Sequence, residues 1–135
     1  MTPTAVKSED TVIGQVIAKF TVGDPSLFEH MAEDIDFRID HFRDDTNVSW
    51  QQATSRPALM ALFGRLAEEV FPKGTKALDV STSALGQGWY LTRFHQQFFY
   101  GVRQCDVTSL TYIISHEADG LLDYFRETVT TVDNI

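Results

Sequence analysis

Residues 20–39 read FTVGDPSLFEHMAEDIDFRI, and the order of signals in this stretch decides the fold. Gly23 ends one amphipathic segment, because glycine is a common residue just past a helix C-terminus. Asp24 and Pro25 then begin another helix, with the aspartate as N-cap and the proline at the first helical position. From Ile35 onward apolar and polar residues alternate, which is typical of a strand. The stretch therefore predicts helix, turn, short helix and strand, in that order.

Two longer helices are predicted, one before this stretch and one after it. The first follows Ser8, which can act as an N-cap, and the second opens at Ser55 and Pro57 and ends at Pro72. Their apolar residues recur at helical spacing: Val12, Ile13, Val16, Ile17 and Phe20 in the first, and Leu59, Leu62, Phe63, Leu66 and Val70 in the second. Each helix is therefore expected to pack one apolar face on a common core.

The strand that begins at Ile35 has two different faces. Side chains alternate across a strand, so one face carries the apolar set and the other the charged set. The predicted inner set is Ile35, Phe37, Ile39 and His41, and the predicted outer set is Asp36, Arg38 and Asp40. A shift of one residue would exchange the two sets.

The rest of the chain predicts a largely antiparallel sheet. Strands are expected from about residues 78, 89, 107 and 121, with turns at Gly86-Gln87-Gly88 and Ala118-Asp119-Gly120. With 135 residues, of which 43% are hydrophobic, the chain can bury one sizeable core. We therefore expect a single domain over residues 1–135, with residues 1–7 disordered.

Charge and composition narrow the classes of partner. The formal net charge is −8, from 19 acidic and 11 basic residues. A nucleic-acid groove needs clustered Lys and Arg, so this balance argues against a nucleic-acid partner and disfavours an anionic membrane surface. No apolar run approaches the roughly 20 residues that span a bilayer, and no signal peptide is recognisable. The expected location is the cytoplasm. The single cysteine, Cys105, excludes an internal disulfide.

Several short motifs together resemble the nuclear transport factor two-like superfamily, which includes SnoaL-like polyketide cyclases, ketosteroid isomerases and scytalone dehydratases. These motifs are Gly23-Asp24, Ala32-Glu33-Asp34, the helix over residues 57–71, and HEADGLL at residues 116–122. The likeness covers nearly the whole chain. It implies a cystatin-like α+β barrel, in which a cone-shaped, strongly bent, mostly antiparallel sheet wraps around three helices from the N-terminal half. It also implies an apolar cavity and, commonly, a homodimer through the outer face of the sheet.

The catalytic pattern of a ketosteroid isomerase is mostly absent from this sequence. The resemblance would place its general base at Ile39, its oxyanion-hole tyrosine near Val16 and its protonated aspartate at Tyr112. Of these, Tyr112 alone keeps a hydrogen-bond donor. Asp40 is adjacent to Ile39 but points to the other face, unless a bulge rotates it inward. The fold hosts many reactions, so the resemblance selects none of them.

His41 is the first candidate for acid–base chemistry. It follows Ile39 on the predicted inner face, and an imidazole exchanges protons near neutral pH. The alternative of equal weight is a loop histidine at a strand end. Asp40 could orient His41, but an ion-pair strip with Asp36 and Arg38 is the simpler interpretation.

The cavity walls are expected to be apolar and aromatic, which would suit a flat hydrophobic ligand. Tyr112 could stabilise an oxyanion there, although a core tyrosine with a satisfied hydroxyl is the commoner case. The predicted ligand-binding residues are Phe37, Ile39, Trp50, Phe63, Phe94, Phe98, Ile114 and His116. His116 also lies near a turn, where it could be a surface residue.

No metal site is predicted. Asp40, Asp44 and Asp45 form an oxygen-rich group, but the loop lacks the spacing and the glycine of a calcium-binding loop.

Two functions remain open at this point. The first is cofactor-independent isomerase, cyclase or dehydratase chemistry on a small hydrophobic molecule. The second is a non-catalytic ligand-binding or dimeric assembly module, whose interior is filled by its own aromatic side chains. The missing inward carboxylates favour the second, whereas His41 and Tyr112 favour the first.

Overall fold

Seven strands, two α-helices and two 3₁₀ segments form the described part of the chain. The structure is a computed structural model that describes residues 3–43 and 48–135, so the predicted acidic loop with Asp44 and Asp45 lies outside it. The strands are β1 (Thr4–Val6), β2 (Met31–His41), β3 (Gln52–Ala53), β4 (Thr75–Gly86), β5 (Trp89–Tyr100), β6 (Cys105–Ala118) and β7 (Leu121–Asn134). The helices are α1 (Val12–Thr21) and α2 (Arg56–Glu69), and the 3₁₀ segments are Ser8–Asp10 and Pro25–His30.

The strands form one curled sheet in the order β1-β4-β5-β6-β7-β2-β3. Neighbouring strands are antiparallel except for β2 and β7, which run parallel. The sheet bends around the helices but does not close into a barrel. The predicted fold class, a bent and mostly antiparallel sheet around three helices, is confirmed.

The N-terminal segment differs from the prediction in two ways. Residues 4–6, expected to be disordered, form β1 and pair with β4. Helix α1 begins at Val12 instead of just after Ser8, because Thr11 is its N-cap. The Thr11 Oγ1 accepts a hydrogen bond from the Gly14 N–H at 3.0 Å and donates one to the Ser8 carbonyl oxygen at 2.7 Å. Position 14 needs glycine, since a Cβ there would lie 1.7 Å from that oxygen.

The turn between α1 and β2 forms as the sequence predicts. Gly23 has a φ of +70°, and the Asp24 carboxylate caps the 3₁₀ segment by accepting from the Ser26 N–H at 2.9 Å. Strand β2 begins four residues earlier than expected, at Met31. Its pairing with β7 is irregular between Met31 and Asp36 and regular from Asp36 to His41, so the irregularity lies upstream of Asp40.

The predicted faces of β2 are confirmed from Ile35 onward. Ile35 and Phe37 are buried, and Ile39 and His41 line interior space. On the other face Asp36 pairs with Arg126, whose guanidinium lies 2.9 Å away. Inward and outward side chains of β2 therefore alternate regularly as far as Asp40.

The faces of β6 are opposite to the prediction. Tyr112 and Ile114 are 39% and 41% exposed, whereas the intervening Ile113 is 1% exposed. The inner set is Val107, Ser109, Thr111, Ile113 and Ser115. Both alternating sets contain bulky apolar residues, so the pattern alone could not decide which one faces the helices. Tyr112 and Ile114 consequently cannot line the interior.

The core lies between the inner face of the sheet and the two α-helices. Its most deeply buried members are Ile13, Met31, Ile35, Leu59, Val107, Ile113 and Leu122. In the described residues, no helix has the length and apolar character needed to cross a membrane.

Candidate functional site

The interior of the cone holds a small cavity of about 50 Å³. Its walls come from α1, α2 and the inner face of four strands, and they are dominated by aromatic rings. The lining residues are Val16, Ile17, Phe20, Phe37, Ile39, Phe63, Leu66, Phe71, Phe94, Gln96, Ile113, Phe125 and Glu127. Typical small-molecule pockets measure about 300–1,000 Å³, so this cavity admits only a small group in the present conformation.

Glu127 is the ionisable group in that apolar wall. It lies on β7 with Ile39 as its register partner on β2 and Ile113 as its partner on β6. The residue keeps part of its surface accessible and lines the cavity, while burial desolvates its carboxyl. Among the described residues Glu127 has no hydrogen-bond or ion-pair partner. Desolvation by burial raises the pKa of Glu127 to about 7.

Glu127 is not among the residues predicted from the sequence, although the alternation of β7 contains a signal for it. Phe125 and Val129 are buried on β7, and alternation places Glu127 on the same face as both. The missing inward carboxylate of β2 is thus replaced from the neighbouring strand, directly across from Ile39. An unpaired carboxyl in an apolar cavity is a common setting for an acid–base group.

Gln96 places an amide in the same wall. Its Oε1 accepts a hydrogen bond from the Thr75 Oγ1 at 2.6 Å, which fixes the orientation of the amide. In the described part of the chain its Nε2 makes no hydrogen bond. Because Gln96 is 3% exposed and lines the cavity, these N–H groups are available to a molecule inside it.

A second lobe of about 30 Å³ adjoins the first and is more polar. The two lobes share Ile39, Leu66, Phe71, Gln96 and Glu127. The second adds His41, Gln51 and Ser109.

Within that second lobe, the His41 Nε2 lies 3.2 Å from the Gln51 Oε1. The Ser109 Oγ is buried and has no hydrogen-bond partner in the residues that the structure describes. The arrangement leaves polar groups facing Glu127 from β2 and β6.

The structure brings most of the predicted cavity residues together. Phe37, Ile39, Phe63 and Phe94 line the first lobe, and His41 and Phe98 line the second. Trp50 lies outside both lobes, where its indole ring packs under the Arg65 guanidinium at 3.9 Å.

Four predicted site residues face away from the cavity. Asp40 pairs with the Arg38 Nε at 2.8 Å on the outer face, so it does not orient His41. Tyr112 and Ile114 are on the outer face of β6, as described above. His116 is held near the β-turns, with its Nδ1 2.7 Å from the Asp123 carboxylate and its Nε2 3.2 Å from the Gln87 carbonyl oxygen.

Metal binding finds no support in the side chains that the structure describes. Within residues 3–43 and 48–135, no group of three or more His, Cys, Asp or Glu side chains is arranged to hold a metal ion.

Several solved structures have the same fold as this chain. An NTF2-like protein from Anabaena variabilis has a TM-score of 0.69 at 11% identity, covering 89% of this chain and 87% of its own. A candidate polyketide cyclase from Xanthomonas campestris pv. campestris has a TM-score of 0.68 at 13% identity, covering 90% and 88%. An LEH-like epoxide hydrolase from M. tuberculosis has a TM-score of 0.61 at 14% identity, covering 87% and 79%. No protein-family model and no curated protein matches the sequence.

These likenesses establish that the chain has the NTF2-like fold, as the resemblance predicted. Identities between 11% and 14% carry no reaction or ligand from one protein to another.

Proposed function

We propose that the protein is an acid–base enzyme that moves a proton on a small, neutral carbonyl compound, with Glu127 as the proton-transfer group. The observation that carries this proposal is an unpaired carboxyl, enclosed by aromatic walls, whose pKa is raised to about 7. A group with that pKa is present in both protonation states near neutral pH, so it can take a proton and return it. This is the requirement of an isomerase-type reaction.

Gln96 supplies the second part of the proposed mechanism. When a base removes a hydrogen next to a carbonyl group, negative charge develops on the carbonyl oxygen. The Gln96 Nε2 donates to that oxygen, and the Thr75 hydroxyl holds the amide in the required orientation. The aromatic walls exclude water, which strengthens the interaction. No cofactor is needed for this step.

The proposal replaces the predicted catalytic set with residues of the inner face. His41 lines the second lobe. Its Nε2 lies 3.2 Å from the Gln51 Oε1, which supports a role in orienting the Gln51 amide there. Asp40 and Tyr112 have no part in the mechanism, because both lie on the outer face.

The test uses exchange of hydrogen for deuterium next to a carbonyl group. Methyl ethyl ketone is incubated in heavy water with the wild-type protein, Glu127→Gln or Asp79→Asn, and exchange is followed by proton NMR. Asp79 is the control, because it pairs with Arg93 on the outer face. We expect Glu127→Gln to reduce the enzyme-dependent rate by about 100- to 10,000-fold and Asp79→Asn to leave it unchanged. Equal rates for wild type and Glu127→Gln would disprove the role of Glu127.

The non-catalytic function stays the second candidate, and the cavity volume of about 50 Å³ is the observation that favours it. Phe37 and Phe125 stack inside the cone with centroids 4.4 Å apart, so aromatic side chains occupy much of the interior. A wild-type protein with no exchange above that of buffer, across a panel of small ketones, would favour this function.

The expected homodimer through the outer sheet face also stays a prediction. The exposed side chains of Trp89, Tyr112 and Ile114 on that face support it.

A further inference from the structure

The interior cavity is too small for a whole substrate. Its volume of about 50 Å³ leaves room for a reactive group next to Glu127, and not for the rest of a drug-sized molecule. If the proposed function holds, the remainder of the substrate has to lie in space that is continuous with the cavity.

An apolar groove of about 370 Å³ adjoins the cavity on the helix side of the molecule. It runs between the 3₁₀ segment Pro25–His30 and helix α2. The groove and the cavity share Phe20, Phe63, Leu66 and Phe71, so these four side chains form the wall between them.

Phe63 is the centre of that wall. Its ring contacts Phe28 on the groove side, with centroids 5.3 Å apart, and Phe37 on the cavity side, with centroids 5.7 Å apart. Phe20 closes the wall by packing edge-on against Phe63 and Phe71. Phe20, Phe63 and Phe71 are only partly buried, so these rings and not the backbone separate the groove from the cavity.

A hydrogen bond also links the groove to the proposed site. Thr75 lines the groove, and its Oγ1 donates to the Oε1 of Gln96, which lines the cavity. The polar side chains of the groove are already engaged, because the Asp24 carboxylate accepts from the Ser26 N–H. Among the described residues that line the groove there is no Lys or Arg, so the groove offers an apolar surface without a cation for an anionic ligand.

We propose that this groove is the substrate's second subsite, and that it binds a neutral alkyl chain whose carbonyl end reaches Glu127 past Phe63. The inference rests on the proposed function and narrows the substrate to an elongated, neutral molecule with a small reactive end and an apolar tail.

Gly64 provides a way to fill the groove without disturbing the core. It lies on α2 in the groove wall, and a Cβ built at this position meets no atom within 4 Å. Gly64→Phe places a ring in the groove, whereas Gly64→Ala also removes the helical glycine but adds only a methyl group. Ala67→Phe is a second blocking variant, and Ala58→Phe is an exposed control on the same helix outside the groove.

The experiment measures the dissociation constants of straight-chain methyl ketones, from methyl ethyl to methyl heptyl ketone, by NMR titration. In wild type, Gly64→Ala and Ala58→Phe, we expect affinity to rise by up to about fourfold per added methylene. In Gly64→Phe and Ala67→Phe, methyl ethyl ketone should bind as in wild type, and the rise with chain length should be lost. The same rise in both blocking variants, or no rise in wild type, would overturn the proposal.

The titration also separates this inference from the proposed function. Glu127→Gln should keep the dependence on chain length, because its change is confined to the reactive end. Loss of exchange without loss of that dependence supports both proposals. Absence of exchange in wild type, with the dependence intact, contradicts the catalytic proposal and leaves the groove as a ligand site.

Discussion

Gln96 and Gln97 are neighbours on β5 with the same side chain and opposite surroundings. Gln96 is buried and lines the same cavity as Glu127, whereas Gln97 is exposed on the outer face. The same contrast separates Ile113 from Ile114 on β6 and Glu127 from Arg126 on β7.

The carboxylates on the two faces of the sheet differ in whether they have a charged partner. Outer carboxylates are neutralised by arginines, as in Asp36 with Arg126 and Asp79 with Arg93. Glu127 has no such partner in the described residues, and burial raises its pKa. A charged group inside the cone is thus kept at a cost in stability, and this is the setting in which proton transfer becomes efficient.

The two isoleucines of β6 give the largest expected effect. Ile113→Ala should lower the free energy of unfolding by about 2–5 kcal/mol, because it removes buried methyl groups and leaves a cavity. Ile114→Ala carries the same change in strand propensity but loses little burial, so it should cost less than about 1 kcal/mol. Urea denaturation of both variants measures the difference. A larger loss for Ile114→Ala would mean that the assigned faces of β6 are reversed, and equal losses would contradict the difference in burial between them.

Variants of Gln96 and Gln97 give a matched test of the proposed oxyanion donor, with one glutamine on each face of β5. Gln96→Leu should reduce the rate of ketone hydrogen exchange by about 100- to 1,000-fold, since it removes the donor to the developing oxyanion. Gln97→Leu should leave the rate unchanged. Proton NMR of the exchange reaction provides the measurement, and an unchanged rate in Gln96→Leu would remove Gln96 from the mechanism.

Glu127 should also make stability depend on pH. Its pKa is about 7 in the folded chain against an ordinary value of 4.5. Below pH 4.5 the group is protonated in both states and contributes nothing. Between pH 4.5 and 7 the folded chain keeps a proton that the unfolded chain loses, so the free energy of unfolding falls as pH rises. The loss should total about 3 kcal/mol and level off at higher pH.

The measurement compares thermal or urea unfolding of wild type and Glu127→Gln across that range of pH. The stability difference between the two proteins should follow the titration of Glu127 and favour the glutamine variant at high pH. A difference that does not change with pH would show that the Glu127 carboxyl is solvated in the folded protein.

The outer ion pairs should give the smallest effect. Asp79 and Arg93 are about half exposed, with side-chain exposures of 54% and 43%. Asp79→Asn should therefore lower the free energy of unfolding by no more than about 1 kcal/mol, and added salt should reduce even that difference. A loss as large as that of Ile113→Ala would contradict the view that the outer face is solvated.

The sequence predicted the architecture well where local signals are strong. The Gly23-Asp24-Pro25 turn, the N-cap at Ser55 and the alternation from Ile35 to His41 are local rules, and each formed as expected. The site was predicted less well, since Tyr112 was assigned to the wrong face and Glu127 was overlooked. The first error arose because the two faces of β6 carry residues of similar hydropathy, and the second because the alternation of Glu127 with Phe125 and Val129 was not used.

The sequence by itself determined the order of the helices, of β2 and of β4 to β7, together with the phase of β2, because these depend on spacing and turn chemistry between near neighbours. Only the tertiary structure decided which face of β6 meets the helices, and which groups surround Glu127. Those features depend on pairing between strands far apart in the chain: Glu127 lies between Ile39 and Ile113. Its raised pKa follows from the desolvation that this packing imposes, which no local pattern around residue 127 specifies.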